Sequence, residues 1–210
     1  MILIGLLLLA AALFLVGRNV LNDLSAGDNS EEIINELYST ALADVSFKEY
    51  STENTPPSDI PDYIKHPDMD LPVEVVNGIE CVAILSIPSM DKEFPVVNEL
   101  TDYNLRYGPC LYSGSPYRNN FVIGAHNNSS HFGGLIRNVV EGDQITLIDM
   151  VGNIFNYTVE YIEVLEPYET KKMIESDWDL SLFTCTWDLG SRYTVRCLRS
   201  DNDINVVTIG

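Results

Sequence analysis

The chain has 210 residues, 46% of them hydrophobic and 10% aromatic, with 31 acidic side chains against 12 basic ones and a formal charge of −19. That length and apolar content exclude a disordered chain and suit one folded domain with a real core. The charge argues against a nucleic-acid partner, because a phosphate-binding face needs clustered lysine and arginine, and the acidity reads as a means of solubility.

The first sixteen residues, MILIGLLLLAAALFLV, carry no charge, and the apolar run reaches Leu21 if Arg18 and Asn19 are included. A bilayer core needs about 17–25 residues. The basic segment that opens a cleaved signal peptide is missing. Residues 1–21 are therefore expected to be a transmembrane anchor that is not cleaved, with the acidic remainder outside the membrane. Arg18 lies after the span, so charge does not fix the orientation.

Residues 22–75 read as a helix followed by a linker. SEEIINELYSTALADV, residues 30–45, sets Ile33, Ile34, Leu37, Ala41, Leu42 and Val45 at helical spacing, with Ser30 as its cap and Glu31 and Glu32 in its first turn. Its expected role is to pack on the main domain or form a stalk. Residues 51–72 hold five of the ten prolines together with Asp59, Asp62, Asp68 and Asp70. This composition predicts an extended, solvated linker, and His66 within it reads as a solvated histidine.

From about residue 76 the texture changes to short β-rich runs divided by turn residues. They are GIECVAILSI, EFPVV, NFVIGAH, DQITLIDM, IFNYTVEYIEVLE, LSLFTCTW, RYTVRCLR and INVVTI. Helical pieces are short and fall near 101–107, 131–139 and 168–176. Many short strands with little helix predict a closed barrel or a sandwich over residues 76–210. The four cysteines are Cys81, Cys110, Cys185 and Cys197. No two form a CxxC pair, so no zinc site is expected. No acidic loop has the ligand spacing of a calcium site. An exported chain with four cysteines also has the means to form two disulfides.

Three residues carry chemistry. In LSLFTCT, strand alternation puts Ser181, Phe183 and Cys185 on one face and Leu182, Thr184 and Thr186 on the other. On the strand alone, Cys185 reads as a small buried hydrophobe. His126 shifts that reading. It ends the run FVIGAH and faces the polar loop Asn127–Ser130, where a histidine can take a thiol's proton and return it to a leaving amine. His131 competes for the role, but it opens a helical stretch before Phe132 and Leu135 and reads as a structural or rim residue. Arg192 follows the short loop 188–191, so an antiparallel pairing of TCTW with RYTV brings it close to Cys185. A guanidinium there lowers a thiol pKa and stabilises a tetrahedral oxyanion. Arg196, four residues on, is the fallback. Trp187 reads equally as a substrate-facing aromatic or as core.

LFTCT followed by SRYTVRC resembles the TLxTC…R signature of sortases, the surface-anchoring transpeptidases of mostly Gram-positive bacteria. IGAHNNSSHFGGL resembles their histidine segment, and LSIPSMDKEFPVV their early barrel strands. The resemblance runs over about residues 78–200 in the family's order. It implies an eight-stranded sortase-type β-barrel with a few short helices, preceded by the transmembrane helix and linker. It maps Cys185 onto the nucleophile, His126 onto the acid/base and Arg192 onto the oxyanion-stabilising arginine. It further implies cleavage of an LPxTG-like sorting signal through a thioacyl-enzyme and transfer of the surface protein to an amine acceptor on the cell wall. No metal or organic cofactor is implied. Ala125 stands where a glycine often precedes the histidine, and Phe183 fills the variable position. The subclass reads as housekeeping-like or class D-like. Two other readings remain. One is a secreted Cys–His peptidase that uses water as acceptor. The other is a membrane-tethered β-domain without catalysis.

Overall fold

The structure is a computed structural model and describes residues 2–42, 61–188 and 190–200. Its first element is one unbroken helix, α1 (Ile2–Ser39). The helix expected over residues 30–45 is thus the end of α1, and its residues 43–45 lie outside the described residues. The apolar half is long and apolar enough to cross a membrane, and its side chains from Ile4 to Leu24 are largely exposed. An N-terminal apolar helix of this kind fits a membrane anchor.

The second half of α1 is amphipathic. Ala26, Ser30, Ile33, Ile34 and Leu37 are buried and recur at the three- and four-residue spacing of one helix face. Ile33, Leu37 and Leu42 pack with Val76, Ile79, Cys81, Ile84 and Val97. Each large aliphatic side chain buried this way contributes about 1.5–3 kcal/mol to docking. The packing keeps the helix on the outside of the barrel.

A single turn, α2 (Asp62–Lys65), follows. This part of the expected linker is not wholly solvated. Tyr63 stacks on Tyr117 with ring centroids 5.0 Å apart and leans on the main core, because an aromatic ring buries more area than a solvated linker can forgo. His66 is exposed, as expected of a solvated residue.

The strands are β1 (Glu74–Val76), β2 (Ile79–Ile87), β3 (Lys92–Val97), β4 (Cys110–Ser113), β5 (Phe121–Ala125), β6 (Gln144–Asp149), β7 (Ile154–Leu165), β8 (Leu180–Cys185) and β9 (Arg192–Arg199). Two short helices, α3 (Leu135–Asn138) and α4 (Thr170–Ile174), interrupt them. The sheet order is β1-β2-β3-β4-β5-β8-β9-β7-β6, and β2 also pairs with β6. That pairing closes β2 through β9 into an eight-stranded barrel, with β1 as a short strand on β2. Closure leaves no long open edge. Leu85, Phe94, Phe121, Ile123, Leu147, Phe155, Leu182 and Val195 fill the interior.

Two strands were not legible in the pattern. β1 has three residues, and β4 has four with a register shift between Leu111 and Ser113. Neither is long enough to display a period of two. The expected final run INVVTI lies outside the described residues. All four cysteines are free thiols.

Candidate active site

Two parallel strands, β5 and β8, run side by side from Phe121↔Leu180 to Ala125↔Thr184. The last pair is locked by a side chain, since Thr184 Oγ1 donates to the Ala125 carbonyl at 2.9 Å. His126 and Cys185 are the next residues on each strand. On the other side of β8, antiparallel β9 starts with Cys185↔Arg192 as the pair closest to the turn. Neighbouring strands lie about 4.8 Å apart. Three adjacent strands therefore bring histidine, cysteine and arginine to one edge of the barrel, with the cysteine in the middle.

Local bonds hold that edge. Asn127 Nδ2 donates to the Cys185 carbonyl at 2.8 Å, which ties the loop after His126 to the cysteine strand. The Phe132 N–H donates to the His126 carbonyl at 3.1 Å. The turn between β8 and β9 is pinned by Thr186 N–H to Ser191 O at 3.0 Å and by Ser191 N–H to Thr186 Oγ1 at 3.1 Å. His126 is exposed, and Cys185 and Arg192 are half-buried.

The remaining thiols are unlike Cys185. Cys81, Cys110 and Cys197 are fully buried. Burial pushes all three thiols up, Cys81 and Cys110 to about 12. A thiolate is the nucleophile, so three of the four are inert. In β8, Leu182 and Thr184 are buried while Phe183 and Cys185 are half-exposed, as alternation predicts, but Ser181 on the latter face is also buried, covered by Arg196, whose Nη1 donates to it.

Arg192 lines a groove of about 180 Å³ with Leu100, Tyr112, Leu165, Glu166, Pro167, Glu169, Thr170, Met173 and Phe183. Phe183 stands two residues before Cys185 on the same strand face, and Arg192 is the register partner of Cys185, so the groove borders the β8–β9 end that carries the thiol. Gly124 makes room for its ring, because a Cβ there would lie 2.5 Å from Phe183 Cζ. The groove is apolar along Leu100, Phe183 and Leu165 and acidic at Glu166 and Glu169. That combination suits a peptide segment with apolar side chains.

The two competing residues lie elsewhere. Arg196 is 1% exposed. Its Nε donates to Glu163 at 2.8 Å, Nη1 to Ser181 Oγ at 2.7 Å and Nη2 to the Lys172 carbonyl at 2.8 Å. It stitches α4 to β7, β8 and β9, and its burial keeps it out of a substrate's reach. His131 is wholly buried, and its two ring nitrogens have no hydrogen-bond partner among the described residues. Burial pushes its pKa down to about 4; His126 and Lys92 push the same way, and Asp23 opposes them. It is neutral at pH 7. Trp187 is 63% exposed, which removes the core alternative, and the Arg137 guanidinium lies 5.2 Å from its ring centroid.

Asn127 escaped notice in the sequence. It stands in a polar loop that contains Asn128, Ser129 and Ser130, and nothing local distinguishes it from its neighbours. Among the described residues, no group of three or more His, Cys, Asp and Glu side chains gathers as a metal site would require.

A family model described as the sortase domain matches residues 85–200. Solved structures similar to this chain include a sortase A from Corynebacterium diphtheriae, at 24% identity over 91% of this chain and 98% of that one, with a TM-score of 0.53. A Clostridium perfringens sortase D5 transpeptidase is 22% identical over 60% of this chain and 82% of that one, with a TM-score of 0.51. A Listeria monocytogenes sortase A is 20% identical over 57% and 87%, also with a TM-score of 0.51. No curated protein matches the chain. At such identities the structural likeness carries the fold, and the domain match carries the family. The chain belongs to the sortase family and is a cysteine transpeptidase that works by acyl transfer.

Proposed function

We propose that Cys185 is the nucleophile, His126 the general acid and base, and Arg192 the oxyanion donor of a membrane-anchored sortase. Its substrates are surface proteins with a C-terminal LPxTG-like sorting signal, and its acceptor is an amine on the cell wall. The Cys185 sulfur attacks a backbone carbonyl within the signal, and the C–N bond breaks. His126 protonates the departing amine, which leaves a thioacyl-enzyme. The acceptor amine then attacks the thioester carbon and gives its proton to His126, and Cys185 leaves as thiolate. Arg192 stabilises the oxyanion in both tetrahedral intermediates. The apolar half of α1 anchors the enzyme in the membrane, with the barrel on the outer side.

One observation carries this reading. The strand register sets Cys185 between His126 and Arg192 at an open edge, while every other thiol is buried.

Intact-mass analysis of the full chain in detergent tests it. Wild type and Cys185→Ala are incubated with a set of LPxTG-like peptides, with and without oligoglycine or a diaminopimelate-type amine. The expected result is a mass gain equal to the cleaved peptide on wild type alone, discharged onto the amine. Discharge onto water alone in the presence of amine would favour a hydrolase. A folded protein that forms no adduct with any signal would count against the proposal.

A further inference from the structure

The loop that follows His126 is held from outside the barrel by α1, whose first half is long and apolar enough to cross a membrane. Ser129 Oγ donates to Asp23 Oδ2. The Ser130 N–H donates to Asp23 Oδ1 at 3.2 Å. Ser130 Oγ donates to the Asp23 backbone carbonyl at 2.5 Å. The approach is close along the next turn as well, since a Cβ on Gly27 would sit 3.2 Å from Ser130 Oγ. Asp23 leads the docked face of α1, three residues before buried Ala26, whereas Leu24 and Ser25 beside it are exposed. One side chain and one carbonyl thus take up both hydroxyls and one N–H of the loop 127–130.

We infer that Asp23 is a positioning residue for catalysis, a clamp by which the membrane-proximal turn of α1 fixes the His126 loop against Cys185. The inference rests on the role of His126 proposed above. A loop that carries an acid/base group opens cheaply unless its polar backbone is engaged, and hydrogen bonds to a carboxylate are the stronger kind. Asn127 binds the same loop to the Cys185 carbonyl at 2.8 Å, so the loop is gripped on both sides of His126's reach, by β8 and by α1. The clamp also fixes location. Asp23 lies two residues past Leu21, about 3 Å along the helix axis. The catalytic edge is therefore held within a helical turn of the apolar segment's end, beside the bilayer surface from which a membrane-retained signal would emerge.

The test uses the full chain in lipid nanodiscs. D23A, S129A/S130A and D23N are compared with wild type, with the exposed helix residue changed in D28A as control. Three readouts are taken: amide exchange over residues 127–132, the pH profile of Cys185 alkylation by iodoacetamide, and kcat and KM for a cleaved peptide. In D23A we expect exchange at Ser130 to rise roughly tenfold or more. Its alkylation profile should move toward that of His126→Ala. Its kcat should fall roughly ten- to a hundredfold, with KM within about twofold of wild type. D23N retains an acceptor for the Ser130 N–H and should lose less than D23A on every readout. Unchanged exchange at Ser130, a rise in kcat, a D23N defect as large as D23A, or loop opening with unchanged alkylation would each overturn the clamp. If wild type turns over no peptide, the proposed function fails, and exchange and alkylation still decide the clamp.

Discussion

The β8–β9 hairpin has two ends built from the same residue types and used in opposite ways. At the turn end, Cys185 faces Arg192, both are half-exposed, and Arg192 makes a 3.2 Å bond to its neighbour's carbonyl at Ser191. At the far end, Ser181 faces Arg196 and Leu180 faces Cys197. There the arginine is buried and bonded to Glu163, Ser181 and the Lys172 carbonyl, and the cysteine is buried with its thiol held neutral. Four residues separate the arginines and twelve the cysteines. What differs is commitment. Groups whose hydrogen-bonding capacity is spent inside the protein stabilise the fold, and groups left with open capacity at a solvated edge are available to a substrate.

The largest effects should fall at the turn end and on activity alone. Cys185→Ala is expected to abolish adduct formation with an unchanged melting temperature, read by intact mass and by thermal unfolding of the detergent-solubilised chain. Residual turnover would move the nucleophile elsewhere. Arg192→Ala should lower kcat about 10²–10³-fold, about 2.7–4 kcal/mol of transition-state stabilisation, and leave stability unchanged. Wild-type turnover in that variant would sink the oxyanion assignment.

At the far end the expectation reverses. Arg196→Ala strips partners from a partly buried carboxylate, a hydroxyl and a carbonyl. It should cost about 3–5 kcal/mol of stability, seen as a lowered denaturant midpoint. If instead it folds normally and loses only kcat, the contrast between the arginines is wrong.

His131 offers a smaller and pH-dependent test. Its pKa is held down to about 4 in the folded chain, chiefly by burial, against 6.5 when free. The unfolded chain therefore binds more protons between these values, so stability rises with pH through that window. Going from pH 6.5 toward pH 4 should cost about 1.4 kcal/mol per unit, and H131L should flatten that slope in urea titrations at pH 5 and pH 7. Activity at neutral pH should survive in a folded His131 variant, because the ring is buried and uncharged there. The smallest effect is expected for Trp187→Ala. It removes an exposed contact with Arg137 worth about 0.5–1 kcal/mol, so thermal unfolding should show a melting temperature lowered by only about 1–4 °C, and a larger drop would mean the ring packs more than the structure shows.

Local order alone determined a good part of this protein. The uncharged N-terminal run, the amphipathic stripe of Ile33, Ile34 and Leu37, and the period-two runs of the barrel were legible because side-chain spacing reports directly on which face is buried. Cys185 opposite Arg192 was legible too, since a short loop between two strands dictates antiparallel neighbours. Other features depended on partners distant in sequence. β4 became a strand because β5 was there to pair with it. Arg196 became structural because Glu163 and α4 surround it. His131 became a buried neutral ring instead of a rim residue because the turn at Phe132 carries it inward. Most of all, nothing in the stretch around Asp23 announced that it would meet Ser129 and Ser130, more than a hundred residues away. Spacing along a chain encodes local conformation, but which polar groups are spent and which stay free is settled only when the barrel closes and α1 docks on it.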